Sequence, residues 1–417
     1  MGNTFILYIF RLSKIFFRYR TGGVPMRRNT VFSQIMQLIC RYRFKECVDT
    51  HAGDRYTKTF SCWQQLLVLL FAQAKGRTSL RDIVLSLRSH REKWYHLGLT
   101  SVARSTLADA NNKRNADIFK DVFYALLEKC RELSPRHGFK FKNPLYSFDS
   151  TLINVCLSLY PWATYRKKKG AFKLHTLLDH SGYLPSFMVL SDGKTHDITV
   201  VKDEVFGFPS LSPDSILLID RAYIDYNWLY SLAQRKLFFV IKVKSNMKYT
   251  VLGQQDSPKK KGIISDCRIR LTGLSSQEKY PDHLRLVTYV DQETGEVHEF
   301  FTNNFKLAAR TIADLYKSRW QIEIFFKWIK QNLRIKSFLG TSKNAVMTQI
   351  WAAMIYYLLL SFFKFQTKCR HSLHELTRIV GELLLDSLNL IEILTIPFNK
   401  FIAVKRKQRQ LQLSLRF

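Results

Sequence analysis

A carboxylate on a helix that is otherwise aromatic and basic is the feature of this sequence most suited to chemistry. Glu323 lies in the run Tyr316-Lys-Ser-Arg319-Trp-Gln-Ile-Glu323-Ile-Phe-Phe-Lys-Trp-Ile-Lys330. Tyr316, Arg319, Glu323 and Lys330 are spaced by three, four and seven residues. At about 3.6 residues per turn this puts all four side chains on one helix face. Two aspartates stand in comparably odd places. Asp149 interrupts the apolar stretch Leu145-Tyr-Ser-Phe-Asp149-Ser-Thr-Leu-Ile, and Asp220 ends Ser215-Ile-Leu-Leu-Ile-Asp220. A carboxylate inside or at the end of a core strand is costly to bury unless it is paired or bound to metal. Two such aspartates, joined by a glutamate from a later helix, would make a hard-cation site. Mg²⁺ prefers a few carboxylates plus waters and phosphate oxygens. A pair of such ions can activate an attacking oxygen and stabilise a leaving one in in-line phosphoryl displacement. Taken singly, each aspartate is more often a cap or turn residue of the kind common at strand ends.

The elements that must position these acids are legible in outline. Residues 27–135 carry apolar residues at helical spacing, in Val31-Phe-Ser-Gln-Ile-Met-Gln-Leu-Ile and more densely from Cys62 to Leu70. Ser79 is placed to cap a short helix Leu80–Leu87, with Asp82 as a capping-box acid. Gly98 marks a turn. A second helix, from near Ser101 or Ser105 through Asn112, bears Arg104, Asn111, Asn112, Lys113 and Arg114. The pair fits a helix-turn-helix-like DNA reader, and equally an ordinary bundle with a solvated basic face. From about residue 144 the pattern turns to strands. The Asp149 stretch, Ala171–Asp179 and Tyr183–Leu190 form an antiparallel meander around the turn His180-Ser-Gly182. A helix over 198–206, a buried parallel strand Ser215–Asp220, a helix Tyr226–Gln234 and a strand Leu237–Val243 complete an α/β core. Residues 245–303 read as a β insertion, with a polar loop from Gln254 to Gly262. A long helix from about Leu307 to Asn332 follows. The run Ile350–Phe363 is apolar all round; its ~14 residues are too few for a bilayer span and predict a buried helix.

Composition bounds the partners. The chain has 417 residues, 46% hydrophobic and 14% aromatic, enough for a globular protein of two or three domains. Lys and Arg number 65 against 33 Asp and Glu, a net charge of +32 that calls for a polyanion or a membrane. The basic residues are spread along the whole length, which favours a protein that wraps nucleic acid over one with a basic appendage. The runs Arg166-Lys-Lys-Lys169 and Lys259-Lys-Lys261 are solvated loops by default and are expected here to touch DNA backbone. The seven cysteines show no CxxC pair or zinc spacing and read as reduced core residues of a cytoplasmic protein. The apolar run Phe5–Phe10 is too short to span a bilayer, and no small-residue cleavage site follows it.

The blocks Ser147-Phe-Asp149-Ser-Thr, Leu218-Ile-Asp220-Arg-Ala-Tyr223 and Tyr316-x2-Arg319-x3-Glu323-x6-Lys330 together resemble the DDE transposases of bacterial insertion sequences, in the branch named for insertion sequence 4. The likeness runs over roughly residues 30–365. Its specific part is the four-residue signature; Ala222, where the family more often has Gly, is a mild departure. The resemblance implies a ribonuclease-H-like catalytic core with a β insertion, flanked by an N-terminal helical domain and C-terminal helices. The expected organisation is a non-native extension over 1–25, a helical DNA-binding domain over 26–140, catalytic core over 141–244, the insertion over 245–303, core with the glutamate helix over 304–340, and a helical region over 341–417. It implies that Asp149, Asp220 and Glu323 are catalytic and hold Mg²⁺, with Mn²⁺ able to substitute. Arg319 and Lys330 would grip phosphates. Tyr316 would hydrogen-bond another, unless it is a packed core tyrosine. A base flipped from a DNA hairpin would stack on an aromatic, for which Tyr280, Tyr289 and Phe300 are candidates. His196-Asp197 would support the site from behind, or form a surface turn. The implied activity is binding an element's terminal inverted repeats, cleaving them and joining them to target DNA. The partners would be double-stranded DNA, both element ends and target, and a second protomer or more, with no membrane, in the cytoplasm at the nucleoid. A structure-specific endonuclease of the same fold and a catalytically silent DNA binder are the competing readings.

Overall fold

The structure is a computed structural model that describes residues 29–166, 169–195, 197–202, 211–255, 262–332 and 338–395. The expectations for residues 1–25, for His196, for the end of the helix over 198–206, for Lys259–Lys261 and for residues 396–417 of the C-terminal helical region lie outside the described residues. So do the two central lysines of the Arg166–Lys169 run.

The chain opens with helices α1 (Val31–Met36), α2 (Arg41–Thr50), α3 (Cys62–Lys75), α4 (Leu80–Arg88), the single turn α5 (Trp94–Leu97), α6 (Arg104–Lys113) and α7 (Asp117–Leu133). Their ends obey local chemistry. Ser61 and Gln64 form a capping box at the start of α3, and Gly76 closes it at φ +61°. Ser79 Oγ accepts from the Asp82 amide at α4. Then come β1 (Leu145–Val155), β2 (Thr164–Arg166), β3 (Lys169–Asp179), β4 (Leu184–Asp192), α8 (Asp197–Lys202), β5 (Ile216–Ile219), α9 (Tyr226–Gln234) and β6 (Phe238–Lys242). The strands β7 (Tyr249–Gln254), β8 (Ile263–Leu271), β9 (Leu284–Val290) and β10 (Val297–Thr302) follow, with α10 (Leu274–Lys279) between β8 and β9. The chain continues as α11 (Ala309–Ser318), α12 (Trp320–Asn332), α13 (Lys343–Thr367), α14 (Leu373–Leu383) and α15 (Leu390–Thr395).

The strands make one mixed sheet, in the order β2-β3-β1-β5-β6-β10-β9-β8-β7 with β4 also on β3. β1, β3 and β4 are the expected antiparallel meander. β5 runs parallel to both β1 and β6. The strands β7–β10 do form within the expected insertion, but β10 pairs with β6, so they extend the central sheet.

Three apolar clusters set where things sit. The first joins α1–α7, α12–α15 and one face of the meander. The second fills the other face of the sheet under α9. The third lies under α11, on the face that carries Leu145, Leu218 and Val240. Side chains alternate along β1, so Leu145 and Ile153 share a face with Ser147, Asp149 and Thr151 between them. Leu145 belongs to the third cluster and Ile153 to the first. Asp149 therefore stands at the seam between two cores, where a polar side chain displaces no apolar packing.

Helix α13 corrects the expected length. It runs for 25 residues, capped by Ser342 and closed at Lys368, because Lys343–Gln349 and Lys364–Thr367 continue the helix at either end of the apolar run. By length and composition it could cross a membrane, but 89% of its apolar window is buried inside the chain. The expected single helix Leu307–Asn332 is also divided. Arg319 and Ile322 donate to the carbonyls three residues back, at 3.1 Å each, tightening the chain between α11 and α12. The division follows the cores: α11 buries Ile312 and Leu315 in the third cluster, and α12 buries Ile322, Phe325 and Ile329 in the first.

Candidate active site

Asp149 and Asp220 become neighbours through strand register. Phe148 is opposite Ile219 in the parallel pair β1–β5, so the next residue on each strand is an aspartate. Asp220 leaves the strand to cap the short 3₁₀ turn Arg221–Tyr223, its Oδ1 accepting from the Ala222 amide at 2.9 Å. The turn-residue explanation is thus true of one oxygen, while the other faces the seam. Tyr223 is buried edge-on against Phe148, 5.0 Å between ring centroids, which ties the Asp220 turn to β1.

The third acid arrives from the helix break. Arg319, at the junction of α11 and α12, is 14% exposed and projects between all three carboxylates. Its guanidinium donates to Asp149 Oδ2 at 3.1 Å and to Glu323 Oε1 at 2.8 Å, and lies 3.9 Å from Asp220 Oδ2. A guanidinium is only a few ångströms across, so the three carboxyl groups lie within about 10 Å of one another, a span that ions bridging carboxylates can share. Burial pushes the Asp149 carboxyl up to about 6, against the Ser150 amide and Arg319, with Asp220 and Glu323 adding to the rise. Burial opposes the Arg319 charge, but Tyr316 and the three acids outweigh it and raise its pKa further. The site is an excess of negative charge held around one tethered cation. Among the described residues no set of three donors forms a ready coordination shell; the guanidinium keeps the carboxylates apart. The donor set itself is all carboxylate oxygen, the chemistry of a Mg²⁺ or Mn²⁺ site.

The profile of the transposase DDE domain family matches residues 140–359, which includes all three acids. A transposase of Sinorhizobium fredii, y4zB, is 34% identical over 62% of this chain and 71% of its own. A transposase for insertion sequence element IS5377 of Geobacillus stearothermophilus is 31% identical over 65% and 70%. The chain belongs to the DDE transposases. It is an enzyme, and divalent metal ions serve the reactions of its family. A transposase for insertion sequence element IS4SA of Synechocystis is 24% identical over 69% of this transposase and 77% of its own length. Residues 27–100 match a separate domain family of unknown function. Among solved structures, a piggyBac transposase synaptic complex with hairpin DNA aligns with 88% of this chain and 82% of its own, at 12% identity and a TM-score of 0.46.

The structure of this transposase sorts the remaining sequence expectations. Tyr316 is half-buried, its ring 4.8 Å from Phe300 and beneath the Arg319 guanidinium. Lys330 is exposed on α12, two turns beyond Glu323 at nearly the same azimuth, about 10 Å along the axis. Asp197 lies behind the site on the opposite face of β1, accepting from Ser150 Oγ at 2.8 Å, 3.3 Å from Lys173 Nζ and 3.8 Å from His175. Burial lowers His175 to about 4, so the ring is neutral and its Nε2 meets Ser191 Oγ at 2.8 Å. Lys173, His175 and Ser150 carried no sequence signal, since only the β1–β3 register aligns them. The candidates for base stacking do not survive: Tyr280, Tyr289 and Phe300 are 1%, 7% and 3% exposed and packed in the sheet's cores. Alternating patterns cannot tell which face of a strand is covered on both sides. Trp320 adjoins Arg319 and is 59% exposed on the first turn of α12, a residue that no acid or spacing rule singles out in the sequence. Of the basic helix α6, Arg104 and Lys113 are exposed. Asn111 and Arg114 turn inward, Asn111 to Gln65 at 2.9 Å and Arg114 to Gln65 at 3.1 Å. Asn344 of α13 binds the carbonyls of Asn111 and Arg114, tying the end of α6 to the C-terminal helices.

Proposed function

We propose that Asp149, Asp220 and Glu323 are the catalytic carboxylates and that they hold Mg²⁺, with Mn²⁺ able to substitute. The observation that carries this is their convergence on Arg319, a cation in the place a divalent ion would take. Bound there, the ions supply Lewis acidity for in-line displacement at a DNA phosphate. The chain's own residues do the rest. β1 and β5 hold two carboxylates on adjacent strands, and α12 brings the third against them. Arg319, whose Nε has no partner among the described residues, turns its donors to a DNA phosphate. Tyr316 positions that guanidinium from below, and Lys330 holds the backbone further along. Trp320, exposed beside Arg319, takes the base-stacking role that the buried Tyr280, Tyr289 and Phe300 cannot fill. The sheet order, three antiparallel strands followed by two parallel ones, supports a ribonuclease-H-like core.

On this reading the enzyme binds the terminal inverted repeats of an insertion sequence, cleaves at their ends and joins them to target DNA. Bringing two ends together requires at least two protomers. The four-residue signature Tyr316, Arg319, Glu323 and Lys330 supports the insertion sequence 4 branch. The test is strand cleavage by Asp220→Asn and Glu323→Gln. Loss of several kcal/mol of transition-state stabilisation should slow cleavage about 10³-fold or more, with end binding kept. Wild-type-like cleavage by either variant would remove that residue from the site. Cleavage by the wild type without end joining would favour a nuclease.

A further inference from the structure

Away from the carboxylates, at the start of β1, lies a cavity of about 630 Å³ between the segment 131–144 and the β3–β4 hairpin. Its wall is built. His137, Phe139 and Phe141 form a cluster of rings, with centroids 4.9 Å apart for His137 and Phe141, 5.5 Å for Phe139 and Phe141 and 5.9 Å for His137 and Phe139. The cluster is pinned by His137 Nε2 donating to the Asn143 carbonyl at 2.9 Å and by Asn143 donating to the Asp214 carbonyl at 2.8 Å. Phe139 and Phe141 lean into the third core, which turns Lys140 and Lys142 outward. Arg131 and Arg136 add two more exposed cations at the rim. The opposite wall offers Tyr146 and Phe187 as apolar surfaces, and two hydrogen-bonding groups within. The Asp179 carboxylate accepts from the Ser181 amide at 2.7 Å. Ser186 Oγ is buried with no hydrogen-bond partner among the described residues.

A buried hydroxyl without a partner is disfavoured unless something else satisfies it. Rings for stacking, a carboxylate and hydroxyl for a base edge, and cations at the rim for phosphate are the complement of a nucleotide. The volume suits one small ligand, and a duplex is too wide for it. Tyr146 is three residues before Asp149 and on the other face of β1, so this is not the place where the acids act. We propose that this cavity takes one unpaired base of a DNA strand, with Arg136, Lys140 and Lys142 on the adjoining phosphates, as a second DNA site of the transposase. The choice of DNA over other nucleotides rests on the reading given under Proposed function.

The test uses the full chain carrying Asp220→Asn, so that no cleavage intrudes. Binding of a short fluorescent single-stranded oligonucleotide is titrated over salt. Lys140→Glu with Lys142→Glu should weaken it at least tenfold and flatten its log–log salt slope by about 1.4, two phosphate contacts at about 0.7 each. Ser186→Trp, which fills the cavity without touching the rim charges, should weaken it about five- to hundredfold, as loss of one stacked base does. Its melting temperature and its binding of a duplex element end should stay near the parent's. Parent-like single-strand binding by both variants would overturn the proposal. So would an equal loss of duplex binding in both. If AMP alone saturates the cavity and the neighbouring phosphates add nothing, the site belongs to a free nucleotide and the DNA assignment fails. A wild type that cleaves while the cavity variants bind normally would sink this proposal alone. Cavity binding without any cleavage would sink the catalytic reading alone.

Discussion

Replacing Asp149 with Asn should make the metal-free protein more stable while destroying its activity. The Asp149 carboxyl is raised from 3.8 to about 6, first by burial, and its side chain is 20% exposed. A shift of that size corresponds to about 3 kcal/mol of disfavour for the charged form in the folded state. Residual water screening and the lost Arg319 contact reduce the expected gain to about 1–2 kcal/mol. The direction with pH follows from proton counting. Between pH 4 and 6 the folded wild type binds a proton at Asp149 that the unfolded chain has released, so wild-type stability falls as pH rises through this window. The Asn side chain does not titrate. The advantage of Asp149→Asn should therefore be absent below about pH 4, grow from 4 to 6 and be complete above 6. Urea denaturation of both proteins in EDTA, at half-unit steps from pH 4 to 8, reads this directly. An Asn variant less stable than wild type at pH 8, or a difference that does not change with pH, would refute the reasoning. Adding Mg²⁺ should stabilise the wild type and reverse the order, because a bound ion favours the ionised carboxylate.

Arg319→Ala should weaken binding of an element end and lower its salt slope by about 1, as loss of one phosphate contact does; an unchanged slope in a salt titration argues against that contact. Without metal, the same variant should raise the Asp149 carboxyl further, visible by NMR titration, since three carboxylates lose their shared cation. Trp320→Ala should cut catalysis on a hairpin or distorted end more than binding of an intact duplex, while Tyr280→Phe, deep in the sheet, should leave both unchanged; equal effects from the two would remove Trp320 from the DNA surface. The Arg285–Asp266 pair is 2% and 1% exposed at 2.7 Å, and Arg285 also donates to the Asn304 carbonyl at 3.1 Å. Arg285→Ala should cost about 3–5 kcal/mol in denaturant titration, with far less lost when Asp266→Ala is added, because the penalty is an unpaired buried charge.

What could be read from the linear chain was whatever depends on near neighbours in sequence. Helical spacing exposed α3, α4 and α9, alternation exposed the meander, and the run of Tyr316, Arg319, Glu323 and Lys330 fell on one helix face because four residues on a single helix need no tertiary knowledge. The identities of the acids were legible for the same reason: Asp149 and Asp220 each break a local apolar pattern. Their meeting depends on the fold, whose β1–β5 register makes two residues 71 positions apart neighbours. Burial was decided at the same level. Tyr280, Tyr289 and Phe300 look like exposed aromatics of a polar insertion until β10 joins β6 and the sheet is covered on both faces. The apolar run understates the length of α13 because the helix's polar first turns lie against other helices and need no apolar pattern of their own. Arg319 shows the division most plainly. The sequence names it as a cation near an acid, but only the break between α11 and α12, forced by two helices packing into two different cores, points it into the middle of three carboxylates.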